Sequence, residues 1–181
     1  MNTFVALFRG INVGGHNILP MKELASVLES IGLLCVRTYI QSGNVVFQSN
    51  TTDVQKLSHA ITTAVETSHG FSPKVLLLSA QALRDVIAAN PFPDGAAEPK
   101  TLHLFFLASS PANPNVVRLE SFRAAGEHFR LIDKVLYLHA PDGTGRSKLA
   151  ANVEKAMGVP TTARNWRSAL KVLSMAEALA A

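Results

Sequence analysis

Cysteine is almost absent from this chain of 181 residues: Cys35 stands alone, so no intrachain disulfide forms and no metal site can be built on cysteine spacing. Long apolar runs are missing too. Phe4 to Phe8 is cut off by Arg9, far short of a signal-peptide core, and nothing approaches the ~20 apolar residues of a membrane-spanning helix. The six histidines are scattered, with no H-x-H or H-E-x-x-H pair, and Ser42 lies in Gln-Ser-Gly rather than a G-x-S-x-G elbow. Aromatic residues are only 7% of the chain. A disulfide scaffold, a membrane protein and the common metal and serine hydrolases all lack their sequence basis. The chain reads as cytoplasmic, without a metal site, and with Cys35 as a buried, inert thiol.

With 48% hydrophobic and 17% charged residues, the chain can bury a substantial core and fits one domain or two small subdomains. Disorder is excluded as its main state. The formal charge is +4 and the pI about 9.5, but the excess is local. Residues 1–90 carry six Lys/Arg against five Asp/Glu, and residues 91–181 carry eleven against eight. Arg146, Lys148, Lys155, Arg164, Arg167 and Lys171 follow one another with only Glu154 opposing them, an anion-facing surface if they share a side.

Thr3 to Phe8 is apolar at successive positions and predicts a strand covered on both faces. Pro20 suits a first helical position, and Met21, Leu24, Val27, Leu28 and Ile31 share one helical face that stops at Gly32. Strands are expected at 35–40 and 44–48 around Ser42-Gly43. Thr52-Asp53-Val54-Gln55 has the capping-box pattern for a second helix through Val54, Leu57, Ile61 and Val65 to Gly70, and 73–78 is a fourth strand.

This βαββαβ order then recurs. After a linking helix over 80–89 and a turn-rich stretch over 90–99, the expected elements are a strand at 102–108 and a helix at 114–122. A hairpin over 129–139 turns at Asp133-Lys134, a helix spans 148–157, and a short segment near 159–162 closes the second plait. A last helix from about Asn165 places Trp166, Leu170 and Leu173 on one face. The sequence therefore predicts an α+β fold of two ferredoxin-like (βαββαβ-type) halves with mostly antiparallel sheets, plus a linking helix and a C-terminal helix. The division is 1–79 for the first half, 80–100 for the linker and 101–181 for the second half with the C-terminal helix.

The strings LFRGINVGG (7–15), TYIQSGNVVF (38–47) and TTARNW (161–166), with Met21, Leu24 and the PDGTGRSKL run (141–149), resemble the signature blocks of the bacterial family called domain of unknown function 1697. Ser168 is one departure, standing where the family pattern leads us to expect threonine. The resemblance implies a small cytoplasmic α+β protein with ferredoxin-like halves, and it brings no catalytic residue with it.

In such a plait three connections meet at one edge. Arg9 and Asn12 leave the first strand there, Gly14 and Gly15 lie in the loop before the first helix, Gln41, Ser42 and Asn44 form the hairpin turn, and Lys74 enters at the same end. An acidic ligand would find donors on this rim beside a helix N-terminus. The alternative for each residue is local: glycines serving positive φ, asparagines bonding their own loops, Arg9 pairing with a carboxylate. If the last helix docks on the first half, Arg164 and Asn165 reach the same loop. Arg164, Arg167 and Lys171 also fall on one side of the expected last helix. Neither the G-x-G-x-x-G nor the P-loop fingerprint is present, since Ala140 and Arg146 replace the P-loop glycine and lysine; Gly143 to Lys148 reads as a turn before a helix or as a second anion-binding helix start.

Three function classes follow. One is a protein that binds a phosphate- or carboxylate-bearing small molecule at the rim, with enzymatic activity left open. Another is an RNA-binding module, for which only Phe4 and Phe47 offer stacking aromatics. The third is a homodimeric interaction protein without catalysis. His16 is the one histidine placed to test as an acid or base, and no motif assigns a cofactor or a reaction.

Overall fold

The unbroken apolar run at the N-terminus becomes β1 (Asn2–Arg9), one of the two inner strands of a four-stranded antiparallel sheet. Its neighbours are β3 (Asn44–Ser49) and β4 (Lys74–Ser79), and β2 (Leu34–Tyr39) pairs with β3 at the edge. The computed structural model describes residues 1–180. Phe4 through Phe8 are all buried, as expected for a strand covered on both sides. Strand alternation puts Phe4, Ala6, Phe8, Val45 and Phe47 on the face packed by α1 (Met21–Ser30) and α2 (Val54–His69), through Leu24, Leu28, Leu57, Ile61 and Val65. Val5, Leu7, Arg9, Asn44, Val46 and Gln48 occupy the other face.

The second sheet repeats this plan. β5 (Leu102–Leu107) lies between β7 (Val135–His139) and β8 (Thr161–Asn165), and β6 (His128–Ile132) is the edge strand beyond β7, all antiparallel. α5 (Val116–Glu120) and α6 (Lys148–Met157) cover one face through Leu119, Leu149, Val153 and Met157. In each sheet the strand order is second, third, first, fourth of its own set, which is the ferredoxin-like order. The linking helix is α3 (Ala80–Ala88), followed by a short α4 (Pro93–Ala97) inside the turn-rich stretch, and α7 (Trp166–Ala180) ends the described chain.

The chain divides into two compact units, Met1–Arg84 with Lys171–Ala181, and Asp85–Leu170. The end of the chain thus groups with the first unit. Within that unit the Gln48 amide donates to the Leu179 carbonyl at 2.7 Å, from the sheet face that α1 and α2 leave open.

Several local expectations are corrected. Pro20 is the N-cap of α1, with ψ 134, and not its first helical residue. Asp53, one place after Thr52, caps α2 by accepting the Gln55 and Lys56 N–H groups at 3.1 and 3.0 Å, so the capping box does not form. Cys35 is exposed, because the edge strand bulges between Leu34 and Arg37 and Cys35 takes φ 53 there. Arg164 belongs to β8 and not to the last helix, so only Arg167 and Lys171 remain of the helical basic stripe. Leu170 is exposed, and α7 buries Trp166, Ala169, Val172, Leu173 and Ala176.

Tyr137 lies on the face of the second sheet away from α5 and α6, only 1% exposed, with its hydroxyl donating to the Val86 carbonyl at 2.8 Å. Burial, and less strongly the charge of Asp133, pushes its pKa from 10.0 up to about 12. The unfolded state therefore binds fewer protons than the folded state across that window, and stability falls as pH rises through it. Tyr137→Phe should cost about 1 to 2 kcal/mol at neutral pH and flatten the alkaline decline. Urea unfolding at neutral pH and near pH 11 checks both; an unchanged alkaline slope would remove Tyr137 as its cause.

Candidate functional site

The glycine-rich loop folds on itself. His16 N–H donates to the Val13 carbonyl at 3.0 Å, closing a bridge between Val13 and His16 with Gly14 and Gly15 between them at φ 58 and 78. Two consecutive positive φ values define the turn type that suits a two-residue hairpin, which explains the glycine pair without any ligand. Asn12 and Asn17 flank this turn at φ 55 and 51, joined by the Asn12 N–H to the Asn17 carbonyl at 3.1 Å, and the Asn17 amide reaches back to the Gly10 carbonyl at 2.8 Å. The tip stands in solvent, with Val13, Gly14, Gly15 and His16 all exposed. Gly15 is separated from the start of α1 by a further five residues ending in Pro20, so its amides do not continue into the helix N-terminus.

Asn12 does more than hold its own loop. Its side-chain amide donates to the Leu19 carbonyl at 2.9 Å and to the Gln41 carbonyl at 3.0 Å, while its Oδ1 accepts the Leu19 N–H at 2.8 Å. The loop after β1 is thereby clamped to the β2–β3 turn. That turn is fixed from below: Phe8 N–H donates to the Gly43 carbonyl at 2.8 Å, and the buried Asn44 amide donates to the Tyr39 carbonyl at 3.2 Å and to Ser42 Oγ at 2.9 Å. Asn12 and Asn44 are thus structural, whereas the Gln41 and Ser42 side chains stay exposed at the rim.

Arg9 and Lys74 are register partners at the end of the β1–β4 ladder, on the sheet face opposite α1 and α2. Directly opposed residues of an antiparallel pair have Cβ atoms about 5 Å apart, so two cations are placed side by side. Lys74 is exposed and Arg9 half-buried. Arg37, which pairs with Val46, presents a further cation on the same face of the edge strand, and no motif in the sequence marked it. Of the rim expected from the sequence, Asn12, Gln41, Ser42 and Asn44 come together through hydrogen bonds, and Arg9 meets Lys74 through register.

Arg164 and Asn165 lie in the other unit, at the end of β8. Asn165 Oδ1 accepts the Ser168 N–H at 2.8 Å and caps α7. Arg164 donates from Nη1 to the Ala163 carbonyl at 2.7 Å; burial lowers its pKa to about 10, which still leaves it charged at neutral pH. His103, on β5, has its Nδ1 buried without a hydrogen-bond partner. Burial lowers its pKa against a smaller opposing pull from the Thr101 backbone.

One constellation escaped the sequence because its members are far apart in it. His69 Nε2 lies 2.9 Å from Glu23 Oε2 and its Nδ1 lies 2.8 Å from Ser68 Oγ, a hydroxyl–imidazole–carboxylate series between the end of α2 and the start of α1. Ser68 Oγ, however, is turned onto its own helix, at 2.8 Å from the Ala64 carbonyl, in the geometry of a helical hydroxyl donating to its preceding turn. The arrangement ties two helices together and presents no nucleophile. Among the described residues no group of three or more His, Cys, Asp or Glu is placed to hold a metal ion, and no helix is long and apolar enough to cross a membrane. Phe4 and Phe47 stack on each other with centroids 5.8 Å apart and are buried, so they offer no platform to an RNA base.

Residues 1–137 match the family model described as Protein of unknown function (DUF1697). In three dimensions the chain is similar to the conserved bacterial protein SP0830 from Streptococcus pneumoniae, with a TM-score of 0.71 and 23% sequence identity over 97% of this chain and 98% of that one. At that identity the likeness speaks to the fold. No curated protein matches the chain at a significant level.

Proposed function

Because the chain belongs to the DUF1697 family, whose description carries no activity, we propose a function from the rim itself: binding of a phosphate- or carboxylate-bearing small molecule, with Arg9 and Lys74 as the charged contacts and Gln41 and Ser42 as polar ones. The observation that carries this reading is the side-by-side placement of two cations at the ladder end. An anion seated there would meet both positive charges, and the clamp through Asn12 holds the neighbouring turn in a fixed shape. Gly14 and Gly15 contribute an open, solvent-facing turn beside it. The repeated strand order of the two sheets fits an origin by duplication, with the rim residues belonging to the first copy.

Thermal unfolding in the presence of nucleotides and acidic metabolites tests the proposal. A ligand at a hundred times its dissociation constant adds ~2.7 kcal/mol, enough for an evident shift. Arg9→Ala combined with Lys74→Ala should weaken binding at least tenfold, on the order of 1.4 kcal/mol or more. A panel without any stabilising member, or a ligand bound equally well by the double variant, would remove the rim as the site.

A further inference from the structure

The second unit contains a cleft of about 1040 Å³ between residues 121–127, which follow α5, and residues 142–148, which lead into α6. That is the size of a small-molecule site. We propose that this cleft binds a phosphomonoester whose remaining body carries hydroxyl or ammonium donors. It involves none of the rim residues and stands independently of the rim reading.

One wall supplies the anion contacts. Arg146 and Lys148 line the cleft, both exposed, and among the described residues neither is paired with a carboxylate. Ser147, buried between them, caps α6 by accepting the Ala150 N–H at 3.0 Å. The first-turn N–H groups of Lys148 and Leu149 have no intrahelical acceptor, and they carry the positive end of the helix dipole. Two cations and two amides suit the three terminal oxygens of a phosphoryl group better than the two of a carboxylate.

The opposite wall asks for something else. Glu127 is 6% exposed and lines the cleft. Its Oε2 accepts the Ala124 N–H at 2.9 Å. A carboxylate offers about four acceptor positions and the Ala124 N–H takes one, which leaves acceptor capacity on this wall for donors of a ligand. Arg123 does not fill this role: it is paired with Glu120, and its Nη1 donates to the Glu127 backbone carbonyl at 3.1 Å. With the exposed Asp142, the cleft sets two acids against Arg146 and Lys148, while its third cation, Arg123, is held by Glu120. A bare polyanion gains little from such a balance, whereas a phosphate with donors on its other end satisfies both walls. Phe122 and Ala124 give the neutral part of the molecule an apolar surface between them.

The test is isothermal titration of the purified full chain, in buffer free of phosphate and sulfate, with inorganic phosphate, glucose 6-phosphate, ribose 5-phosphate, AMP and phosphoethanolamine as probes. At least one of the four esters should bind ten times more tightly than inorganic phosphate. Arg146→Ala with Lys148→Ala should weaken that ester at least tenfold without moving the unfolding midpoint, since both side chains are exposed. Glu127→Gln should narrow the gap between the ester and inorganic phosphate, while Arg9→Ala with Lys74→Ala should leave ester binding intact. No ester exceeding inorganic phosphate, or binding that survives the Arg146/Lys148 double variant, overturns the proposal. Binding lost instead in the Arg9/Lys74 variant transfers the ligand to the rim and overturns it equally.

Discussion

Gly43→Ala is expected to destabilise the protein by about 3 kcal/mol, combining about 1 kcal/mol for a left-handed backbone with the cost of overpacking. Gly43 has φ 75, and a Cβ built on it would lie 2.6 Å from the Phe8 Cβ and 2.9 Å from the Ile11 Cδ1. The nearer of the two cannot yield without moving backbone. The Phe8 Cβ is fixed to the backbone of a central strand, whose N–H is bonded to the Gly43 carbonyl at 2.8 Å, and Ile11 is buried in the core under α1. Gly14→Ala is the matched control, because its φ of 58 carries the same backbone penalty while nothing lies within 4 Å of the added carbon. Urea unfolding of both variants should separate them by about 2 kcal/mol, the overpacking part alone. Equal losses would mean that the turn moves away from β1 at little cost, and that the close approach does not hold the rim in place.

The contrast between these two glycines marks what the sequence disclosed and what it hid. Periodicity exposed the strands and helices because burial of one face at a time dictates it, and the βαββαβ order led directly to the ferredoxin-like pairing. The residues at the rim were legible as polar and glycine-rich, but their division of labour was not. Gly14 and Gly15, expected in the loop before α1, serve a hairpin turn; Gly43, inconspicuous in sequence, is the one pressed against the core. Composition gives the conformational freedom of a glycine and says nothing of the atom that would meet its missing Cβ. Distance in the chain hid the rest. The bond from Asn12 to Gln41 spans 29 positions and the contact of His69 with Glu23 spans 46, separations at which no periodic pattern survives. Arg164 lies outside the helix that its spacing suggests for a simpler reason: β8 passes directly into α7 at Trp166, and the helical spacing of basic residues runs unbroken through that junction. The cleft beside α6 was visible only as a string that fails the P-loop pattern, since its second wall comes from residues 121–127.

Asn12→Ala should cost about 2 to 4 kcal/mol, because the substitution strands buried backbone groups as well as removing bonds. Leu19 is 0% exposed, and Asn12 satisfies both its N–H and its carbonyl while binding the Gln41 carbonyl from the same amide. No other asparagine-sized group does this, since one acceptor must face Leu19 N–H and two donors must face two carbonyls. Asn12→Asp is the sharper variant. It keeps the acceptor but turns a second oxygen toward the Leu19 and Gln41 carbonyls, so at neutral pH it should be at least as destabilising as alanine. The repulsion raises the carboxyl's pKa in the folded state above its unfolded value, so the Asp variant should regain stability relative to the Ala variant as pH falls. Asn12→Gly separates the bonds from the backbone, as it tolerates φ 55 without replacing any of the three contacts. Urea unfolding of the three variants should therefore rank Gly slightly above Ala and both at or above Asp at neutral pH, with Asp alone improving in acid. If Asn12→Gly recovers full stability, the clamp is a matter of backbone conformation, and the rim owes its shape to the turn and not to the amide that spans it.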